Sequence, residues 1–230
     1  MRYHVPSYLI PGTWLENLRR LETAEWISGV ELLVFSYDDD AKSILNRERH
    51  GLAACTPRFR LTLHLPDPLE SRHEELLELS LPFTSSYVLH PPGSILEMER
   101  WLRLVEDWRA AYGPKFHLEN TAGATFVAVE AALPDIELCA DCGRLLLDGH
   151  DPLGWLDGRA SRLRQLHLHS AAAGRDHLPL RAEEPWLRRL FPYLVAFAGI
   201  VELELFSLEA VERSRDALGA LSAMAAGELR

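Results

Sequence analysis

The sequence predicts an α/β chain folded as a (β/α)8 TIM barrel with some abbreviated helices. Three observations carry the prediction: eight short apolar or alternating runs with polar ends, helical periodicity between most of them, and a recurrent spacing. Run ends near positions 35, 64, 90, 119, 141, 169 and 206 lie 22 to 37 residues apart, the length of a strand plus a helix.

In chain order the expected strands are Tyr8-Leu-Ile10, Val30 to Phe35, Phe59 to His64, Tyr87 to His90, Phe116 to Glu119, Ile136 to Asp141, Leu163 to His169 and Val201 to Phe206. The clearest helices are Trp14 to Trp26, Ser94 to Tyr112, Glu183 to Ala198 and Leu208 to Ala225, with apolar residues at i, i+3 and i+4. The second, third and sixth connections are poor in helix signal, and Asp148 to Gly154 reads as loop. No linker or repeat interrupts the chain, so residues 1–230 are expected to form a single TIM-barrel domain.

The chain has 230 residues, 47% hydrophobic and 25% charged, the balance of a protein with one substantial core. Its 34 acidic and 24 basic side chains leave a net charge of −10 and no basic run. Nucleic acid is therefore not an expected partner, because phosphate binding draws on clustered cations. The first twelve residues lack the apolar stretch of a secretory signal, and no run approaches a membrane span. A cytoplasmic protein with a small-molecule substrate and no membrane partner is expected. Cys55, Cys139 and Cys142 form an odd set suited to a reducing compartment. Cys139-Ala-Asp-Cys142 matches C-x-x-C, but without a second such pair it reads better as buried small residues than as a redox or zinc motif.

The chemistry collects at the strand ends. His64, His90, Glu119, Asp141, His169 and Glu204 each follow an apolar run, and a TIM barrel gathers its site at that mouth. Imidazole and carboxylate suit zinc, manganese or iron. Six such positions, one carboxylate bridging, suit two divalent ions, with zinc or manganese preferred. Isolated polar residues at strand ends are ordinary surface features, but six together below an apolar framework are costly unless paired or coordinated.

These residues resemble the xylose isomerase-like TIM-barrel superfamily, also called the AP endonuclease family 2 type, which includes sugar isomerases, epimerases and metal-dependent phosphodiesterases. The resemblance spans nearly the whole chain. Its carriers are Leu61-Thr-Leu-His64, Val88-Leu-His-Pro-Pro-Gly93, His117-Leu-Glu-Asn120, Leu138-Cys-Ala-Asp-Cys-Gly143, Leu166-His-Leu-His169 and Val201-Glu-Leu-Glu204. For the hydrolytic branch it implies one ion on His64, His90 and Glu119. The same Glu119 then bridges to a second ion on Asp141, His169 and Glu204.

Ser7-Tyr-Leu-Ile-Pro11, Glu16-Asn-Leu, Val30 to Phe35, His64-Leu-Pro66 and Asp176-His-Leu-Pro-Leu180 resemble, more narrowly, the cobamide-remodelling phosphodiesterases of that superfamily. Those enzymes cleave the phosphodiester in the nucleotide loop of a corrinoid. Asp176 and His177 resemble ligands of a third ion, or line the substrate. The strand-6 pattern departs from Asp-x-Gly-His, since Asp141-Cys-Gly143 is followed by Arg144. Arg144 either presents its guanidinium to a phosphate oxygen in place of that ion or pairs with Asp148 or Asp151.

The expected function is thus a two-metal phosphodiesterase acting on a cobamide, with Glu119, Glu204 and Arg144 in catalytic roles. The alternative is a sugar or sugar-phosphate isomerase or epimerase with one ion and Glu119 and Glu204 as acid and base. The other alternative is a non-catalytic ligand-binding barrel. His117, His167 and Glu202 share strand faces with Glu119, His169 and Glu204 and are expected to orient them from inside the barrel. Asp38-Asp39-Asp40 reads as a helix start or a solvated loop rather than a cation site, and His150 as a loop residue. Trp14, Trp155 and Trp186 are expected to pack outer helices or form a substrate wall.

Overall fold

The computed structural model describes residues 2–121 and 123–227. Eight parallel strands close a barrel in the order β1 (Tyr3–Pro6), β2 (Ile27–Leu33), β3 (Arg60–His64), β4 (Thr84–Leu89), β5 (Phe116–Glu119), β6 (Glu137–Asp141), β7 (Leu163–His167) and β10 (Ile200–Glu202). Closure runs through His4 opposite Glu202. The chain therefore has the predicted fold, and every strand C-terminus opens at one mouth.

The first expected strand is displaced. Tyr8-Leu-Ile10 is not a strand; Tyr8 is 51% exposed, and the Leu9 and Ile10 N–H groups donate to Asn17 Oδ1 at 3.0 and 3.1 Å. The strand lies five residues earlier, buried along its length and including His4. A parallel strand covered on both faces carries no polar alternation to mark it. The last strand ends at Glu202, so Phe206 lies beyond it in the mouth loop.

The helices α1 (Trp14–Leu21), α4 (Met98–Tyr112), α8 (Pro185–Ala196) and α9 (Leu208–Gly227) occupy the expected segments. Trp101, Val105 and Trp108 turn one face of α4 into the core, near Tyr87 and Phe116 of the barrel. The second connection, poor in signal, holds α2 (Asp39–Cys55), capped by Asp38 accepting from the Ala41 N–H. Its buried stripe is only Leu45, Glu48 and Leu52, too narrow to stand out in sequence. Shorter helices α3 (His73–Ser80), α5 (Ala124–Ala132), α6 (Cys142–Leu147) and α7 (Pro152–Asp157) complete the ring. Asp151 caps α7, so the expected loop from Asp148 to Gly154 ends at Asp151.

Between β7 and α8 the chain forms an unpredicted hairpin of β8 (Ser170–Ala172) and β9 (Arg175–Leu178). Its two-residue turn places Ala173 at φ 53° and Gly174 at φ 74°, the twist that a tight hairpin requires. Trp155 and Trp186 pack against the core, while the Trp14 indole donates to the Leu33 carbonyl at 2.9 Å. Among the described residues no helix is long and apolar enough to cross a membrane.

Candidate metal centre

The ends of β3, β4 and β5 bring three side chains together. His64 Nε2 lies 3.2 Å from Glu119 Oε2, and His90 Nε2 lies 3.5 Å from Glu119 Oε1. The opposite nitrogen of each ring is held by an oxygen: His64 Nδ1 by the Leu65 carbonyl at 3.1 Å, His90 Nδ1 by Asp67. Such anchoring orients imidazole and leaves Nε2 for a ligand. Potential ligand atoms of His64, His90 and Glu119 all lie within 4.8 Å of one another.

A second group lies across the mouth. His169 Nε2 is 2.9 Å from Asp141 Oδ1 and 3.5 Å from Glu204 Oε2. His177, on the hairpin, stacks on His169 with ring centroids 4.2 Å apart and places Nε2 3.5 Å from Glu204 Oε2. His169, His177 and Glu204 again hold ligand atoms within 4.8 Å. His177, expected as a ligand of a third ion or as a substrate-binding residue, lies beside the second group in a left-handed backbone conformation (φ 49°), and Asp176 Oδ1 contacts its Nδ1 at 3.0 Å.

Local structure makes this room. Asp141 begins α6 as its N-cap, accepting from the Arg144 N–H at 2.8 Å, and Asn120 fixes the Asp141 backbone through two hydrogen bonds. A Cβ on Gly143 would lie 2.0 Å from the His169 ring. Only glycine lets α6 approach His169 so closely.

The donor set fits divalent ions. His169 Nε2 and Glu204 Oε2 are buried, with Asp141 and the facing imidazoles 2.9–3.5 Å away, yet no hydrogen bond of regular geometry closes either atom among the described residues. Buried polar atoms of this kind call for a partner. The His169 ring can also take the tautomer that a ligand needs. Its Nδ1 can accept from the His177 N–H at 2.9 Å or donate to the Ser170 carbonyl at 3.3 Å, and the latter frees Nε2. Burial pushes the His90 and His169 imidazoles down, but facing carboxylates outweigh it and raise them to about 11 and about 10. Burial likewise pushes Glu119 up, while His167 and His90 hold it well below the usual carboxylate range.

Beneath the mouth lies a second polar layer. His167 is fully enclosed, with Nδ1 3.3 Å from both Glu119 and Glu204 and Nε2 3.3 Å from Glu31. Gln165 donates to Glu31 at 2.5 Å and Glu202 at 3.3 Å, and Thr62 donates to Glu31 at 3.0 Å. His117, His167 and Glu202 thus line the interior as the alternation implies, and His167 reaches both mouth groups.

The other sequence candidates separate. Arg144 borders the mouth cavity, but its Nε contacts Asp148 at 3.3 Å; Asp151 instead pairs with Arg189. His150 is exposed outside that cavity. Cys139 and Cys142 are buried free thiols, and burial pushes both up, against thiolate chemistry. Asp67, Glu31 and Gln165 were not singled out by sequence reasoning. Asp67 had a signal, three residues after His64 in an Asp/Pro loop. Gln165 had the alternation that places it below His167.

No protein-family model matches the chain, and no curated protein matches it. Solved structures do. A D-tagatose 3-epimerase-like protein matches at 15% identity and TM-score 0.67 over 100% of both chains. The probable 3-DHS dehydratase AsbF of Bacillus anthracis, involved in petrobactin synthesis, matches at 13% identity and TM-score 0.71 over 96% of this chain and 99% of its own. The 3-keto-D-glucoside 4-epimerase YcjR of E. coli matches at 16% identity and TM-score 0.65, over 96% and 98%. At these identities the likeness is one of architecture, and it shows that the chain has the TIM-barrel fold.

Proposed function

We propose that the chain is a metal-dependent phosphodiesterase holding two divalent ions, zinc or manganese, at the barrel mouth. One observation carries the reading: His64 and His90 converge on Glu119 as a ligand group separate from Asp141, His169 and Glu204. A one-ion site needs only the second group with Glu119. Ions held there supply Lewis acidity and lower the pKa of an attacking water. Glu119 joins the two groups, His167 steadies Glu119 and Glu204 from below, and Asp67 orients His90. Arg144, at the cavity edge, pairs with a phosphate oxygen after exchanging its Asp148 contact. Asp176 positions His177 beside Glu204. The finer reading, supported by the sequence resemblance, takes a cobamide as substrate and its nucleotide-loop phosphodiester as the bond cleaved.

A second reading has specific support. The D-tagatose 3-epimerase-like protein and the 3-keto-D-glucoside 4-epimerase share the fold, and these likenesses favour a sugar isomerase or epimerase over a phosphodiesterase. One ion on Glu119, Asp141, His169 and Glu204 would then polarise a carbonyl while Glu119 and Glu204 move the proton. Metal-loaded protein assayed on cobalamin, bis-p-nitrophenyl phosphate and keto sugars separates the two. Diester cleavage lost in His64→Ala is expected; sugar epimerisation retained in His64→Ala, with no diester cleavage, would replace the first reading by the second.

A further inference from the structure

The barrel floor carries a cavity of its own. It encloses about 430 Å³ where the loops before β3 and β4 meet, at the opposite ends of the strands that lead to His64 and His90. We propose that it binds a small phosphate monoester, at a site separate from the metal centre and independent of the reaction assigned to it.

Charge defines the class of ligand. Arg58 and Arg60 both line the cavity, and no carboxylate lines it, in a chain whose net charge is −10. Neither guanidinium makes an ion pair among the described residues. Arg58 donates to the Glu22, Ala24 and Ile27 carbonyls at 2.8–3.3 Å and lies 4.4 Å from the centroid of the Phe59 ring. Its charge is therefore held in place without being cancelled. Arg60 donates through Nε alone, to Ser85 Oγ at 3.1 Å. Its two terminal nitrogens are left as a fork that matches two oxygens of one oxyanion.

Two further features narrow the ligand. The Thr84 hydroxyl, on a residue of the same lining, is buried and has no hydrogen-bond partner among the described residues. A buried hydroxyl in that state calls for a partner, and a phosphate oxygen accepts from it. Two fixed positive charges favour a dianion over a monoanion, and a phosphate monoester carries close to two negative charges at pH 7. Phe59, Phe83, Pro57 and Pro82 complete the wall with carbon, against which the organic group of the ester packs. The size is that of a small-molecule pocket.

The test is calorimetric titration of phenyl phosphate and of benzoate into the full-length metal-loaded protein and its variants. Ions at the mouth also attract phosphate, so the readout is a difference between chains. Wild type is expected to bind one phenyl phosphate more per chain than Arg60→Gln, and benzoate at that site at least about tenfold more weakly. Thr84→Val, of nearly the same shape, should weaken the floor site about fivefold with metal content retained, and it carries the test if Arg60→Gln loses stability. Equal stoichiometry and affinity in wild type and a stable Arg60→Gln, benzoate bound there as tightly as phenyl phosphate, or unchanged binding in Thr84→Val would overturn the site.

Discussion

Glu119, His169 and Glu204 stand at the barrel mouth, and His117, His167 and Glu202 stand two residues earlier on the same chain segments, one layer down. Both layers are buried and built from the same residue types, yet they balance charge differently. The lower layer includes neutral donors, Gln165 and Thr62, and burial, with Glu31 close by, pushes the Glu202 carboxyl well up, so that it keeps its proton. The mouth groups hold only imidazoles and carboxylates around a cavity of about 350 Å³. Amide and hydroxyl donors close only part of the lower layer, where Glu31 Oε1, Glu202 Oε1 and His167 Nδ1 keep no partner among the described residues, whereas the mouth groups face one another around an open cavity.

That contrast can be broken at either layer. The largest effect is expected at Gly143→Ala, whose methyl must displace the His169 ring. Loss of the second ion and about a 100-fold fall in diester turnover should follow, on the scale of a misplaced ligand. Metal analysis and kinetics of that variant check it. The lower layer should respond in the opposite way. Gln165→Leu leaves Glu31 without its amide donor and is expected to cost about 2–3 kcal/mol of stability, read by urea unfolding, with both ions still bound.

Asp67→Asn is a milder probe. It weakens the anchor on His90, and metal affinity at the first group should fall about tenfold while the second holds. The smallest effect lies at the barrel floor. Burial holds the His4 imidazole down at about 4, below its ordinary 6.5. The unfolded chain therefore takes up this proton first, so the stability attached to His4 is present above pH 6.5 and lost as pH falls towards 4. His4→Phe should flatten the dependence of Tm on pH across that window.

The mouth layer was legible in the sequence because a parallel barrel writes its strands as apolar runs and ends them at the site. His64, Glu119 and Asp141 are the last residues of their strands, and His90 follows its strand by one. His169 and Glu204 lie two beyond theirs, still in phase with the interior. What escaped has physical causes too. Strand β1 is covered on both faces and contains His4, whereas the apolar run after it belongs to a loop tied to Asn17. The hairpin has strands of three and four residues, too short for a period to show. It decides where His177 goes, so its place beside Glu204 could not be read from spacing. The Asp67 contact to His90 and the Gln165 contact to Glu31 join distant segments, and no local pattern records them.

The central claim is that one carboxylate joins two ions at this mouth. Elemental analysis of wild type and Glu119→Gln, purified without chelator and reloaded separately with zinc and manganese, tests it most directly. The account predicts about two ions per wild-type chain and weakened binding of both in the variant. A single ion in the wild type, or full metal content in Glu119→Gln, would contradict it.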